Sequence, residues 1–147
     1  MAFGDEDGTD TTARFVHPRA ITVDAEGNLY VTDMGNQNIR KISPTGLVTT
    51  LTETGWEDNR AKKAAKPADF NYPLGIARDQ GGNMYIADSS NHSIRKISAA
   101  GVVTTLAGKI GALGNADGVG EDARFCRPNS IAIDAENNLY VTEMCNH

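Results

Sequence analysis

The 147-residue sequence has little of several features that define common protein classes. It contains only two cysteines, Cys126 and Cys145, and no C-x-x-C pair, which is too few for a disulfide-stapled scaffold. Aromatic residues make up 6% of the chain, with Trp56 as the single tryptophan. No apolar run approaches the roughly 20 residues that a membrane-spanning helix needs. We therefore expect no membrane association.

Positive charge is also scarce, because 14 Lys and Arg residues stand against 19 Asp and Glu residues, for a net charge of -5. Non-specific affinity for nucleic acid needs clustered cations, so nucleic acid is not an expected partner of the chain as a whole. The first ten residues are acidic and have no apolar core, so they do not form a secretory signal.

What the sequence does contain is a repeat with a period of 55 residues and no insertion or deletion. Residues 15–51 and 70–106 are identical at 19 of 37 positions, and residues 15–37 and 125–147 at 13 of 23. A period of this length is slightly above the usual range of about 20–50 residues and indicates a solenoid, propeller or other repeat array.

We treat residues 1–147 as one partial domain and divide it into repeat units. These units are residues 1–55, residues 56–110 and residues 111–147, the third of which is truncated.

Each complete unit has the signals of four short strands. In the first unit the β-branched runs predict strands at Ala20–Asp24, Leu29–Asp33, Ile39–Ser43 and Leu47–Leu51. The connection after the first strand contains Gly27, which suits a turn residue with positive φ, as Gly82 and Asn137 do in the other units. Each unit is thus predicted to be a four-stranded antiparallel meander.

Apolar residues fall on both faces of these strands. Ile39 and Ile42 point to opposite faces, as do Leu29 and Tyr30. A sheet buried on both faces needs a neighbour on each side, and radially arranged blades provide such neighbours. The pattern favours an all-β fold of the β-propeller class over a two-layer sandwich.

Several blocks of sequence resemble the NHL repeat. They are residues 82–88 (GNMYIAD), residues 91–98 (NHSIRKIS), residues 103–108 (VTTLAG) and residues 117–125 (DGVGEDARF), the last followed by Pro128. The blocks recur in the order that the family has, over almost the whole chain. The resemblance implies a β-propeller of the NHL type, commonly six-bladed, in which the first strand of each blade lines the central channel.

By the same resemblance, Ala20, Gly75 and Ser130 begin the inner strands. The sequence departs from the family pattern at Gln37, where the other units have histidine, and at Glu143, where they have aspartate.

The third unit ends after two strands, so the predicted strand count is four, four and two. Ten strands do not close a ring of four or more blades. We therefore expect an incomplete ring: a piece of a longer propeller, or one completed by a partner. Self-association is an alternative, because the edge of Leu139–Glu143 is a template for strand addition.

Polar residues that recur once per unit are given structural roles. The aspartates precede tight turns and are expected to accept backbone N–H bonds there, and His92 is expected to bond backbone in the loop after the second strand. The residues in this group are Asp24, Asp79, Asp134, Asn36, Asn91, Asn146 and His92.

The segments between blades break the symmetry. Residues 4–10 (GDEDGTD) weakly resemble a calcium loop but lack its spacing, and we interpret them as a solvated loop. The aligned segment of the second unit is basic and follows the only tryptophan, which suits contact with an acidic partner or phosphate. Its predicted partner-binding residues are Trp56, Arg60, Lys62, Lys63 and Lys66.

The two cysteines form a third asymmetry. Antiparallel pairing around the turn at residues 135–138 places Cys126 opposite His147 and Cys145 opposite Pro128. Both thiols then lie at one end of the hairpin, within reach of a disulfide or, with His147, of a soft metal. We favour free, unpaired thiols.

The function that these patterns favour is a non-enzymatic scaffold whose inter-blade loops bind a protein or another ligand. No nucleophile–base pair, phosphate loop or metal-spaced cluster is visible, so we expect no catalytic residue, metal or cofactor. The resemblance leaves two alternatives. One is part of a six-bladed propeller enzyme, such as a gluconolactonase-like hydrolase or an amidating lyase, and the other is an RNA-binding NHL domain.

Overall fold

The computed structural model describes residues 4–9, 11–52 and 69–146. Over these residues the protein is all-β, and every pair of neighbouring strands within a sheet is antiparallel. The strands are β1 (Gly8–Thr9), β2 (Pro18–Val23), β3 (Leu29–Asp33), β4 (Asn38–Ile42), β5 (Leu47–Thr50), β6 (Pro73–Arg78), β7 (Met84–Asp88), β8 (Ser93–Ile97), β9 (Val103–Ala107), β10 (Pro128–Ile133) and β11 (Leu139–Glu143).

The helical elements in the described ranges are three 3-10 turns of three residues each: Met34–Asn36, Ser89–Asn91 and Gly120–Asp122. None of these turns is long or apolar enough to span a membrane.

The strands form two four-stranded blades and the first two strands of a third. Blade 1 has the order β2-β3-β4-β5, blade 2 has the order β6-β7-β8-β9, and blade 3 contains β10 and β11. The inner strand β6 contacts both β2 and β10, so the blades follow one another in chain order. The prediction of four-stranded antiparallel blades of a propeller is confirmed.

One strand was not expected from the sequence. β1 pairs with the outer strand β5 and makes a fifth strand in the sheet of blade 1, through a register that sets Gly8 opposite Val48. The Asp7 carboxylate reinforces this contact, since it accepts the backbone N–H of Thr50 at 3.0 Å and the Thr50 hydroxyl at 2.9 Å. A two-residue strand has no alternation of apolar residues, so the sequence carries no signal for it.

The hairpin between the first two strands has the same geometry in all three blades. The turn residue predicted to need positive φ has it in each case, with φ of 84° at Gly27, 87° at Gly82 and 66° at Asn137. Glycine and asparagine are the residues that adopt this conformation at least cost.

The core lies between the blades. Tyr30 of blade 1 belongs to a buried cluster with Ile76, Met84 and Ile86 of blade 2. Tyr85 of blade 2 belongs to a second cluster with Ile131 of blade 3. Each blade therefore buries one face against each neighbour, which explains why its strands are apolar on both faces.

The two end faces show how much burial each neighbour provides. Ile21, on the open face of blade 1, is 58% exposed, whereas the aligned Ile76 is 7% exposed. Tyr140, on the open face of blade 3, is 60% exposed, whereas the aligned Tyr85 is 8% exposed. Complete burial of one such side chain contributes about 1.5–3 kcal/mol, so blade-to-blade packing is the main source of apolar stabilisation.

Blades 2 and 3 approach closely at Gly75 on the inner strand β6. A Cβ atom at this position would lie 2.7 Å from Cα of Ser130 and 2.8 Å from the carbonyl oxygen of Asn129. Both are backbone atoms of β10, so they have little freedom to move aside.

We expect Gly75→Ala to lower the free energy of unfolding by about 1–3 kcal/mol, because the added methyl group forces the two inner strands apart. Gly81→Ala is the matched control, since its Cβ would meet only side-chain atoms, the nearest at 3.3 Å. Urea unfolding of both variants checks this. A Gly75→Ala protein as stable as the control would contradict the close packing of β6 on β10.

Candidate functional site

The aspartate of each hairpin turn is held by the same three hydrogen bonds. Asp24 accepts the backbone N–H of Asn28 at 2.8 Å, the Asn28 side-chain amide at 2.8 Å and the Tyr30 hydroxyl at 3.0 Å. Asp79 and Asp134 make the corresponding bonds in the other two blades. These carboxylates are committed to shaping the turn and to fixing the tyrosine that packs on the next blade.

The bonds outweigh the effect of burial on the carboxyl group. Burial raises the pKa of Asp24, but the hydrogen bonds from Asn28 and Tyr30 lower it by more than burial raises it. The resulting pKa is about 2. The pKa of Asp79 is also lowered, for the same reasons. Burial and the hydrogen bond to Asp24 together raise the pKa of Tyr30. A carboxylate held this firmly in the ionised form is not suited to proton transfer at neutral pH.

A second carboxylate lies at the end of the second strand of each blade. Asp88 accepts the backbone N–H of Asn71 at 2.7 Å and the Asn91 side-chain amide at 2.8 Å. It also pairs with Arg95 at 3.1 Å, and both side chains are fully buried. The Arg95 guanidinium lies 5.5 Å from the ring centre of Phe70.

Blade 1 repeats this arrangement with one addition. Asp33 accepts from Val16, Asn36 and Arg40 as Asp88 does in blade 2. Arg40 forms a second ion pair with Asp7, at 2.8 Å. The acidic N-terminal loop is thus tied to a buried cation rather than simply solvated.

Burial also sets the pKa of these second carboxyls. It raises the pKa of Asp88 to about 6, although Asn71, Asn91 and Arg95 act in the opposite direction. A raised carboxyl pKa is also found in catalytic acids. Asp88 is fully buried, however, and its donors come from three segments of its own blade. Its position fits a structural role.

Blade 3 has Glu143 at this position. Its carboxylate accepts the backbone N–H of Cys126 and the side-chain amide of Asn146 at 2.8 Å. The longer side chain therefore reaches the same two kinds of donor that Asp33 and Asp88 reach.

The cysteines differ from the expectation of free thiols, because Cys126 and Cys145 form a disulfide with a Cα–Cα distance of 5.6 Å. The aligned positions in the other blades are already in contact, since the N–H of Gly35 donates to the Val16 carbonyl at 2.7 Å. The repeat thus brings these positions together in every blade. The hairpin pairing predicted from sequence placed both cysteines at one end of the hairpin, but it gave no distance between them.

His92 also bonds differently from the expectation. Its Nδ1 accepts the backbone N–H of Arg127, at 3.2 Å, so its side-chain partner lies in the next blade rather than in its own loop. Gln37, at the aligned position of blade 1, accepts the backbone N–H of Tyr72 of blade 2 at 2.6 Å. This position therefore joins neighbouring blades.

The predicted partner-binding residues lie outside the described residues, and the structure says nothing of their placement. They are Trp56, Arg60, Lys62, Lys63 and Lys66. Within the described ranges, no three His, Cys, Asp or Glu side chains converge as a metal-ligand set.

A polar cleft of about 520 Å³ separates the hairpin turns of blades 2 and 3. Its lining residues are Arg78, Asp79, Gln80, Gly81, Asn83, Ile133, Asp134, Ala135 and Asn137. Turn bonds hold both of its aspartates, so the cleft offers hydrogen bonding and charge rather than acid–base chemistry. Arg78 was missed from the sequence, although a signal existed: the aligned residues are Val23 and Ile133, so only the second unit has a cation there.

We expect Asp88→Asn to lower the free energy of unfolding by about 3–5 kcal/mol, because it leaves the Arg95 guanidinium buried without its anionic partner. Asp122→Asn, an exposed substitution, serves as the control and should change stability by less than about 0.5 kcal/mol. Chemical unfolding measures both values. A loss below about 1 kcal/mol for Asp88→Asn would contradict the structural role of the pair.

The lowered pKa of Asp24 also predicts an acid dependence. An acid whose folded-state pKa lies below its unfolded value stabilises the fold fully above the unfolded pKa, and loses that effect as pH falls through the folded value. The stability difference between the wild type and Asp24→Asn should therefore shrink as pH falls from 4 to 2. Glu26→Gln, which removes an exposed carboxylate from the same turn, is the control. A stability difference that stays constant over this pH range would contradict a lowered pKa of Asp24 in the folded state.

Comparisons with known proteins agree with this architecture. The model of the NHL repeat matches residues 70–97. NHL repeat-containing protein 2 of Bos taurus is 39% identical over 98 residues, which are 65% of this chain and 14% of that protein. The chain therefore spans only a small part of the length of this relative.

Solved structures show the same fold. A structural genomics protein of unknown function from Bacteroides thetaiotaomicron is 28% identical with a TM-score of 0.68, over 80% of this chain and 30% of that one. A gluconolactonase from Xanthomonas campestris is 15% identical with a TM-score of 0.62, over 88% and 35% of the two chains, and this likeness concerns the fold alone. Residues 70–97 therefore match an NHL repeat, and with its repeated blades and turn geometry the chain has the fold of NHL-like β-propeller proteins.

Proposed function

We propose that the chain is a non-enzymatic binding scaffold that recognises an acidic protein surface through the basic connection between its first two blades. The charged residues of the chain fall into two groups. One group recurs in the blades and is committed to structure, and the other occurs only in one inter-blade connection.

The first group offers no obvious reactive residue. The turn aspartates bond to their own turns, and the buried pairs Asp33–Arg40 and Asp88–Arg95 are surrounded by donors and by an aromatic ring. Groups that are buried and bonded inside a blade leave recognition to side chains that the blades do not need.

The second group is the basic segment, and some of its cations align with acidic residues in the other units. Lys62 aligns with Asp7 and Asp117, and Lys66 aligns with Thr11 and Glu121. In blade 1 the acidic residue has a structural use, since Asp7 pairs with Arg40. A lysine cannot form an ion pair with an arginine, so the role that Asp7 has in blade 1 does not explain the charge of Lys62. This is the observation that carries the proposal.

The charge of the basic segment and the nearby tryptophan indicate what kind of partner would bind. Arg60, Lys62, Lys63 and Lys66 place four cations within seven residues of a chain whose net charge is -5. Such a local patch attracts an acidic surface, and Trp56 beside it is a residue type that often anchors protein interfaces.

A binding assay with defined probes tests the proposal. We expect a fluorescein-labelled polyglutamate peptide to bind the chain, with affinity that falls as NaCl rises from 50 to 200 mM. The double variant Lys62→Glu, Lys63→Glu should bind roughly tenfold more weakly, because an ion pair at a protein surface contributes up to about 1 kcal/mol. The double variant Arg19→Glu, Lys109→Glu changes net charge equally at two exposed positions outside the segment and should bind as the wild type does.

Two parallel measurements separate the alternatives. A labelled single-stranded RNA that binds more tightly than the peptide, and loses affinity in the same Lys62/Lys63 variant, would replace the proposal with RNA recognition. Metal-dependent hydrolysis of a lactone by the purified chain would replace it with an enzyme. Equal peptide binding by the two double variants would remove the basic segment from the interface.

A further inference from the structure

The residue before the proline that recurs in each unit adopts an unusual backbone conformation. His17, Tyr72 and Arg127 have φ of 52°, 54° and 51°, in the left-handed region that side chains other than glycine rarely adopt. Each precedes the first residue of an inner strand, Pro18, Pro73 or Pro128. Such a conformation is strained and persists only when surrounding contacts hold it.

A side chain of the preceding blade holds two of these residues. The N–H of Tyr72 donates to Oε1 of Gln37 at 2.6 Å, and the N–H of Arg127 donates to Nδ1 of His92 at 3.2 Å. Gln37 and His92 are themselves left-handed, with φ of 58° and 55°, and each ends a 3-10 turn. The two joints between blades therefore have the same bond with different acceptors.

The acceptors differ in their response to acid. An amide oxygen keeps its lone pairs over the whole physiological pH range. An imidazole Nδ1 accepts a hydrogen bond only in the neutral form with the proton on Nε2, and after protonation both ring nitrogens are donors. A protonated His92 would thus point an N–H at the N–H of Arg127 and lose the bond.

The surroundings of His92 favour its neutral form. Burial and the positive charge of Arg127 lower its pKa below the ordinary value. Two further charged residues lie on segments that are bonded to this joint: Lys109, in the loop after β9, and Glu143, at the end of β11. That loop reaches the 3-10 turn because the N–H of Gly111 donates to the carbonyl of Asn91 at 3.1 Å.

We propose that His92 makes the joint between blades 2 and 3 acid-sensitive, while Gln37 leaves the joint between blades 1 and 2 insensitive to acid. Protonation of the imidazole breaks the bond to Arg127 and releases the strained residue before β10. The loop that carries Arg127 then opens locally, ahead of global unfolding.

The direction of the effect follows from linkage. The folded state binds the proton on His92 less readily than the unfolded state, so this joint is fully stabilised above the ordinary histidine pKa of about 6.5. The stabilisation is lost as pH falls below that value and through the lower folded pKa. For each pH unit by which the folded-state pKa of His92 lies below the unfolded-state pKa, the opening equilibrium changes about tenfold once the pH is below both.

Amide hydrogen exchange measured by NMR on the 147-residue chain tests the proposal, because it reads the two joints separately. The Arg127 amide should lose protection several-fold between pH 7.5 and pH 5, after correction for intrinsic exchange at each pH. The Tyr72 amide reports the Gln37 joint in the same sample and should change by less than about twofold.

Reciprocal substitutions complete the test. His92→Gln should remove the pH dependence at Arg127, and Gln37→His should create one at Tyr72. Nitrogen chemical shifts of the His92 ring at pH 7.5 should show the proton on Nε2. Equal pH dependence at the two amides in the wild type, or a proton on Nδ1, would overturn the proposal even where a variant proved too unstable to measure.

Discussion

The carboxylate at the end of the second strand connects the main segments of each complete blade. In blade 2, Asp88 bonds the backbone before the inner strand, the side chain of the 3-10 turn and the guanidinium of the third strand. Because the pair with Arg95 is fully buried, its members need every one of these partners. The inner strand and the hairpin are thereby held in the positions from which their apolar faces meet the next blade.

Other features of the structure follow from this constraint. The segment before the inner strand is held against the 3-10 turn, so the pair Val16 and Gly35 lies in contact in blade 1, and the aligned pair Cys126 and Cys145 forms a disulfide in blade 3. The same turn ends in Gln37 or His92, whose side chain reaches the next blade. A single buried network thus positions a covalent cross-link and a joint between blades. In the two complete blades, Asp33 and Asp88 and the arginines that pair with them build this network.

The fold was predictable because the repeat gave three copies of one signal. The strand Leu29–Asp33 was placed at its observed limits, and Gly27, Gly82 and Asn137 all have the predicted positive φ. Features that occur once had no such support. The strand β1 is only two residues long, and Arg78 in the cleft is a cation at a position where the other units are apolar. The disulfide was considered from the hairpin pairing but not favoured, because sequence spacing does not give the distance between two thiols.

The sequence by itself determined the strand pattern, the blade as the repeating unit and the turn residues, since alternation and backbone preference act over a few neighbouring residues. The tertiary structure decided which groups meet across blades: Tyr30 with Ile76, the Gln37 side chain with the N–H of Tyr72, and that of His92 with the N–H of Arg127. These contacts join residues about 35 or more positions apart. They depend on the twist and spacing of neighbouring sheets, and no local pattern in the chain encodes that geometry.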